Sequence, residues 1–143
     1  MNETELRFED IVEGGVYQFS KKITSDDVLK FANLTGDFNP LHVDKEFGDK
    51  SQFKGNIVHG MLAASLFSTL IGMYCPGKNS LYLSQTLSFK NPIYHEDTII
   101  VRGTVVAKNI SIEMVTLTTE ILKDDKVCIS GEAKIKVLKG SYE

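Results

Sequence analysis

The sequence predicts an α+β domain in which a curved antiparallel sheet wraps around one long apolar helix. Three observations predict it. The stretch from Ile57 to Cys75 carries no Asp, Glu, Lys or Arg. Beyond about residue 78 the chain alternates apolar and polar residues with a period of two. Turn-forming pairs such as Asp124-Asp125 and Lys108-Asn109 separate the alternating runs. A helix that is apolar all round must be surrounded. Strands with one apolar face supply the surround.

The elements follow in order. Gly15 to Ile23 reads as a first strand. Thr24 then suits a helix N-cap, with Asp27 three residues on in a variant capping box. Val28, Phe31, Ala32 and Thr35 recur at helical spacing, and Gly36 suits the stop. Pro40 hinders continuation of that helix. Asp44 to Lys50 forms a short helix or a turn. Gly55 to Val58 leads into the apolar helix, which runs from about His59 to Tyr74 and ends near Pro76-Gly77.

Four alternating runs make the sheet. Leu81, Leu83, Leu87 and Phe89 share one face of the first. Ile99, Val101, Val105 and Ala107 mark the second, and Val115, Leu117 and Ile121 the third. Val127, Ile129, Ala133, Ile135 and Val137 mark the fourth. Such alternation means half-buried strands.

Bulk properties narrow the function classes. The 143 residues suit a single domain, 1–143, with its own core. With 42% hydrophobic and 24% charged residues the chain has the composition of a soluble globular protein. Its net charge of −3 argues against a nucleic-acid binder. Cys75 and Cys128 show neither a disulfide framework nor metal-ligand spacing, and both are expected as buried or semi-buried free thiols. The polar start Met1-Asn2-Glu3-Thr4-Glu5 is no signal peptide, so the expected location is the cytoplasm. Ile57 to Cys75 approaches the length of a membrane span. It contains His59, Gly60, Ser65, Ser68, Thr69 and Gly72 and lacks a flanking basic cluster, so a buried helix is the expectation.

The chemistry concentrates in Asp37-Phe38-Asn39-Pro40-Leu41-His42. On an ideal helix Asp37 and His42 would point about 140° apart. They converge only if Asn39-Pro40 turns the chain between them. A carboxylate and an imidazole aimed at one point can hold and deprotonate a water. On residue types alone, an Asx turn at Asp37 and an ordinary histidine at 42 account for the same run.

Val58-His59-Gly60-Met61 opens the long helix. Helix N-termini carry unpaired amides and partial positive charge, and a glycine lets a substrate carbonyl approach. Gly60 N–H is therefore a candidate oxyanion-hole donor, or else a packing glycine. Ala64, Ser68 and Ile71 lie on about the same helix face and are candidates to line an acyl slot, with Ser68 able to bond a catalytic group, or are plain helix-face residues. His59 reads as a structural, tautomer-fixed histidine. His95 reads as solvent-facing. Lys90 and Arg102 read as a solvated sheet face, with one or two such residues as candidates to meet a substrate phosphate. No phosphate-cradling Gly loop, zinc spacing or nucleophile-elbow serine is present.

The run from Phe31 to His42 resembles the hydratase motif of the MaoC-like (R)-specific enoyl-CoA hydratases. So do the run from Gly55 to Leu66 and the strand from Gly77 to Lys90, and the likeness covers nearly the whole chain. The resemblance implies the single hot-dog fold, a homodimer or dimer-based oligomer, and an active site near the protomer interface. It implies Asp37 and His42 as catalytic dyad, Gly60 as carbonyl-binding amide, and Ser68 as a supporting serine; Asn39 and His59 stand with Ala64, Ser68 and Ile71 as candidates for support of the site or for the acyl pocket. The implied reaction is reversible syn hydration of a trans-2-enoyl-CoA to an (R)-3-hydroxyacyl-CoA. No cofactor, metal, nucleic acid or membrane is expected, since CoA is part of the substrate. The alternatives are a hot-dog acyl-CoA thioesterase, which does not need the Asp-x-Asn-Pro-x-His run, and a non-catalytic acyl-CoA-binding module.

Overall fold

In the computed structural model, residues 2–140 are described. The first strand, β1 (Val16–Lys22), leads into helix α1 (Ser25–Thr35). The capping box forms: Thr24 Oγ1 accepts from Asp27 N–H at 3.1 Å, and Asp27 returns the bond to Thr24 N–H at 3.0 Å. Val28 and Ala32 are the buried face of this helix. Gly36 caps its end in the left-handed region at φ 84°.

Three more helices follow. They are α2 (Pro40–Val43), α3 (Lys45–Lys50) and α4 (Gly60–Thr69), the last continuing as a π-turn over Leu70–Tyr74. Pro40 starts a helix here rather than blocking one. Its fixed φ and missing N–H cost nothing at a first helical position.

The sheet has six strands: β1, β2 (Ser80–Gln85), β3 (Ser88–Phe89), β4 (Thr98–Asn109), β5 (Met114–Lys123) and β6 (Lys126–Val137). Their order is β1-β4-β5-β6-β2, with β3 also on β6, and every pairing is antiparallel. Helix α4 packs on the concave face. Ala63, Ala64, Phe67 and Leu70 meet Ile99, Val101, Ile121 and Ile129. The π-turn seals the far end, where Ile71 and Cys75 meet Val105, Leu117, Ala133 and Ile135. The short helix α1 lies at the rim. No helix among the described residues is long and apolar enough to cross a membrane.

Three expectations about the strands are corrected. Leu81, Leu83 and Phe89 do not face the core; they are about half exposed, at 47%, 50% and 55%. Tyr82 packs inward instead. Leu81, Tyr82 and Leu83 do alternate, but with Tyr82 as the inward residue; the register shift on β6 between Tyr82 and Ser84 then changes the phase before Leu87, which packs on the core. Ala107 is exposed because the β4–β5 register also shifts, between Val105 and Ala107. The Lys108-Asn109 turn lies further on, since β4 runs through Asn109 and β5 begins at Met114. Asp124-Asp125 does form the β5–β6 turn, at φ 49° and 64°.

The packing yields a stability prediction. Phe67→Ala, at a side chain 1% exposed, should cost about 3–5 kcal/mol in urea denaturation. Leu34→Ala, at a side chain 83% exposed, should stay within about 0.5 kcal/mol.

Candidate active site

The loop after α1 is held by local bonds that follow from its residue types. Asp37 N–H donates to Thr35 Oγ1 at 3.2 Å. Asp37 Oδ1 accepts from Asn39 N–H at 3.1 Å, an Asx turn. Asn39 Oδ1 accepts from Leu41 N–H at 3.0 Å and so caps α2. The bland account of Asp37 as a turn former is thus geometrically true. It does not exhaust the residue, because Oδ2 is left for other work.

His42 sits on α2 and is half-buried. Its Nδ1 lies 2.8 Å from the carbonyl oxygen of Ile57. A carbonyl only accepts, so Nδ1 carries the hydrogen. In the neutral ring Nε2 is then a bare acceptor, the form a general base needs. The same residue stretch is zipped from the other side, with Ile57 N–H donating to Leu41 O at 3.3 Å.

His59 is the N-cap residue of α4 and is buried, at 2% exposure. Its Nε2 lies 3.0 Å from the main-chain oxygen of Asp37, so that nitrogen carries the hydrogen. One ligand-type atom from each of Asp37, His42 and His59 lies within 4.8 Å of the others, close enough to share a water or pass a proton.

Gly60 is the first residue of α4. The amides of Leu62 and Ala63 bond back to His59 O at 3.0 and 3.2 Å. The Gly60 amide, by its place, has no carbonyl within the helix to bond. A Cβ added at Gly60 would sit 2.7 Å from the ring of Phe89, so any side chain there must push that ring aside. Gly60 and His42 line one cavity of about 480 Å³, with Ile57, Met61, Phe89 and Ile93 among its walls. A second cavity, of about 530 Å³, lies against His42 and is lined by Ser25, Asn56, Tyr94 and His95, among others.

The other sequence candidates fall elsewhere. Ala64 and Ile71 are buried in the core clusters at 6% and 1% exposure, and Ser68 is on the exposed side of α4. None of the three lines either cavity. Lys90 stands among the lining of the first cavity. Arg102 Nε donates to Gln18 Oε1 at 2.9 Å on the sheet. His95 is corrected: it is not solvent-facing. Its Nδ1 pairs with Ser25 Oγ at 3.0 Å, and burial holds the imidazole below its usual pKa. Cys75 and Cys128 are free and buried as expected, and burial pushes the Cys75 thiol up to about 11.

Sequence reasoning assigned no role to Asn56. Its Nδ2 reaches the carbonyls of Leu41 at 3.0 Å and Asp44 at 2.8 Å, pinning both ends of the helix that carries His42. Gly48 leaves the room, since a Cβ there would lie 2.5 Å from Asn56 Nδ2. The partners lie 12 to 15 residues upstream and are main-chain atoms, so no residue-type signal marks them.

The chain is similar to known proteins over most of its length. Residues 7–126 match the family model described as a MaoC like domain. An (R)-specific enoyl-CoA hydratase of Aeromonas caviae is 43% identical over 121 residues, covering 84% of this chain and 90% of that protein. A 3-hydroxybutyryl-CoA dehydratase of Methylorubrum extorquens is 36% identical over 134 residues, covering 94% and 85%. The solved structure of an R-hydratase from Pseudomonas aeruginosa, without ligand, superposes with a TM-score of 0.91 at 30% identity, covering 96% and 89%.

Two outcomes follow from this geometry. Asn56→Ala should lower stability by about 0.5–1.5 kcal/mol in denaturant titration, because the part-buried bond to Leu41 O and the exposed bond to Asp44 O go unmade. With both thiols buried, a thiol reagent at pH 8 should label the native chain slowly and label both cysteines promptly in denaturant.

Proposed function

The chain belongs to the family of MaoC-like domains, and from that premise we propose that it is an (R)-specific enoyl-CoA hydratase working through Asp37, His42 and Gly60. The fold is the hot-dog fold of the hydratases it resembles. The observation that carries the reading is the His42 tautomer. Nδ1–H is tied to Ile57 O, which leaves Nε2 bare in the neutral ring; a ring nitrogen of His42 lies within 4.8 Å of an Asp37 carboxylate oxygen, and His42 lines the same cavity as Gly60.

The steps follow from those atoms. An enoyl thioester places its carbonyl oxygen at the Gly60 amide, at the positive end of α4. Water held between the Asp37 carboxylate and His42 Nε2 loses a proton as its oxygen bonds to C3. The C2–C3 π electrons move to C2, and the thioester oxygen takes on enolate charge, which the Gly60 N–H stabilises. C2 then receives a proton from the dyad, which returns to its starting state. Asp37 and His42 act as one coupled unit in this exchange. Nothing in the cycle calls for a metal or a separate cofactor.

The acyl chain is assigned to the cavity past Gly60, whose walls Ile57, Met61, Ile93 and Phe89 are apolar. Lys90 among the lining supports a place for CoA phosphate at the cavity mouth. Exposed Leu81 and Leu83 on edge strand β2, with Met61 at 58% exposure, support a homodimer. The buried free thiols and the soluble composition support a cytoplasmic location.

The assay separates the readings. Hydration of crotonyl-CoA should remove the enoyl thioester absorbance without releasing thiol, and chiral analysis should find the (R)-3-hydroxy product. Release of free CoA would instead identify a thioesterase. Binding without turnover would identify an acyl-CoA-binding module. Asp37→Asn and His42→Ala should each lower kcat by at least about 10²-fold. Near-normal turnover by both folded variants would sink the dyad.

A further inference from the structure

One side chain touches both halves of the dyad and is itself spent on neither substrate nor core packing alone. His59 gives its Nε2–H to the main-chain oxygen of Asp37 at 3.0 Å. Its ring stacks on the ring of His42, with centroids 4.0 Å apart and planes 29° from parallel. Phe31 closes the other side of the same imidazole at 4.9 Å and 58°. The residue also precedes Gly60 directly, as the N-cap of α4. A purely structural histidine would need none of these three connections to the site.

The bond and the stack constrain different things. The bond fixes the distance from the Asp37 loop to the start of α4, across 22 residues of chain. Asp37 is exposed, and its carboxylate is held only by the Asx turn of its own loop. The stack fixes the plane of the His42 ring, which the single bond to Ile57 O leaves free to rock about that nitrogen. A ring that takes up a proton during water attack gains positive charge. An aromatic face held against it keeps the ring in one plane while it carries that charge.

We propose that His59 is the positioning residue of the hydration site, holding Asp37 by its Nε2–H bond and orienting His42 by its stacked ring. It touches no reacting atom. The proposal rests on the hydratase reading above and deepens it.

Two variants separate the two contacts. His59→Phe keeps a ring and loses the donor. His59→Gln places an amide N–H near the former Nε2 and loses the ring. Circular dichroism melts establish that both are folded. With crotonyl-CoA, His59→Phe should lose about 10²-fold in kcat, the scale of a roughly 1 Å misplacement, with KM changed less than about threefold, since no substrate contact is lost. His59→Gln should recover at least about tenfold of that loss, because the Asp37 loop is tied again.

The tautomers are read independently of activity, from long-range imidazole ¹⁵N–¹H correlations in the wild-type chain. The expected pattern is hydrogen on Nε2 of His59 and on Nδ1 of His42. A kcat within about threefold of wild type in His59→Phe, a loss confined to KM, or Gln as impaired as Phe would overturn the proposal. So would hydrogen on Nδ1 of His59. Should the wild-type chain fail to hydrate any enoyl-CoA, the hydratase reading falls, and the tautomer pattern still decides whether His59 holds Asp37.

Discussion

Everything in this molecule depends on burying α4, a helix with no charged residue, in the hollow of the sheet. Such a helix has no charged face to show to water, and its exposed side carries only Met61, Ser65 and Ser68. It therefore needs β4, β5 and β6 on one side and the rim elements on the other. The consequence lies at its ends. Its far end runs into the second core cluster through the π-turn, while its first turn, at Gly60, Met61 and Ala63, lines a cavity. The free amides and the positive end of the helix are thereby delivered to one accessible place.

The residues proposed as the dyad come to that place by a different kind of bonding. Asp37, Asn39 and Pro40 build two successive local turns, and each is satisfied by side chains within two residues. Local turns aim the chain but do not anchor it. Anchoring comes from main-chain oxygens: Ile57 O receives His42, Asp37 O receives His59, and the carbonyls of Leu41 and Asp44 receive Asn56. The segment that carries Asp37 and His42 is fastened to the chain around Asn56 to His59 by four side-chain-to-carbonyl bonds. This division suits a general base. The tautomer of His42 is set by an acceptor that cannot itself titrate, so Nε2 is bare whenever the ring is neutral.

The exposed apolar residues of β2 express the same economy. An edge strand that shows Leu81 and Leu83 to water is a poor design for an isolated chain. It fits the homodimer proposed above, in which a second copy would cover that edge.

The sequence by itself determined the uncharged helix and its start at His59-Gly60, the capping box of α1, the Gly36 stop and the antiparallel sheet. Each rests on neighbours within a few residues or on a strict period, which is the range over which side-chain type decides backbone shape. It also singled out Asp37 and His42, while leaving a turn and an ordinary histidine as an equal account. Only the tertiary structure decided how those two meet, because the deciding partners are backbone carbonyls 15 and 22 residues away, and a carbonyl carries no sequence identity. The same holds for Asn56. The period-two pattern of β2 does not say which of its two faces, Tyr82 or Leu81 and Leu83, turns inward, and the end of β4 is misplaced by a register shift that such a pattern cannot contain. His95 was mistaken for a solvent residue because its cover, Ser25, lies 70 positions away in the chain.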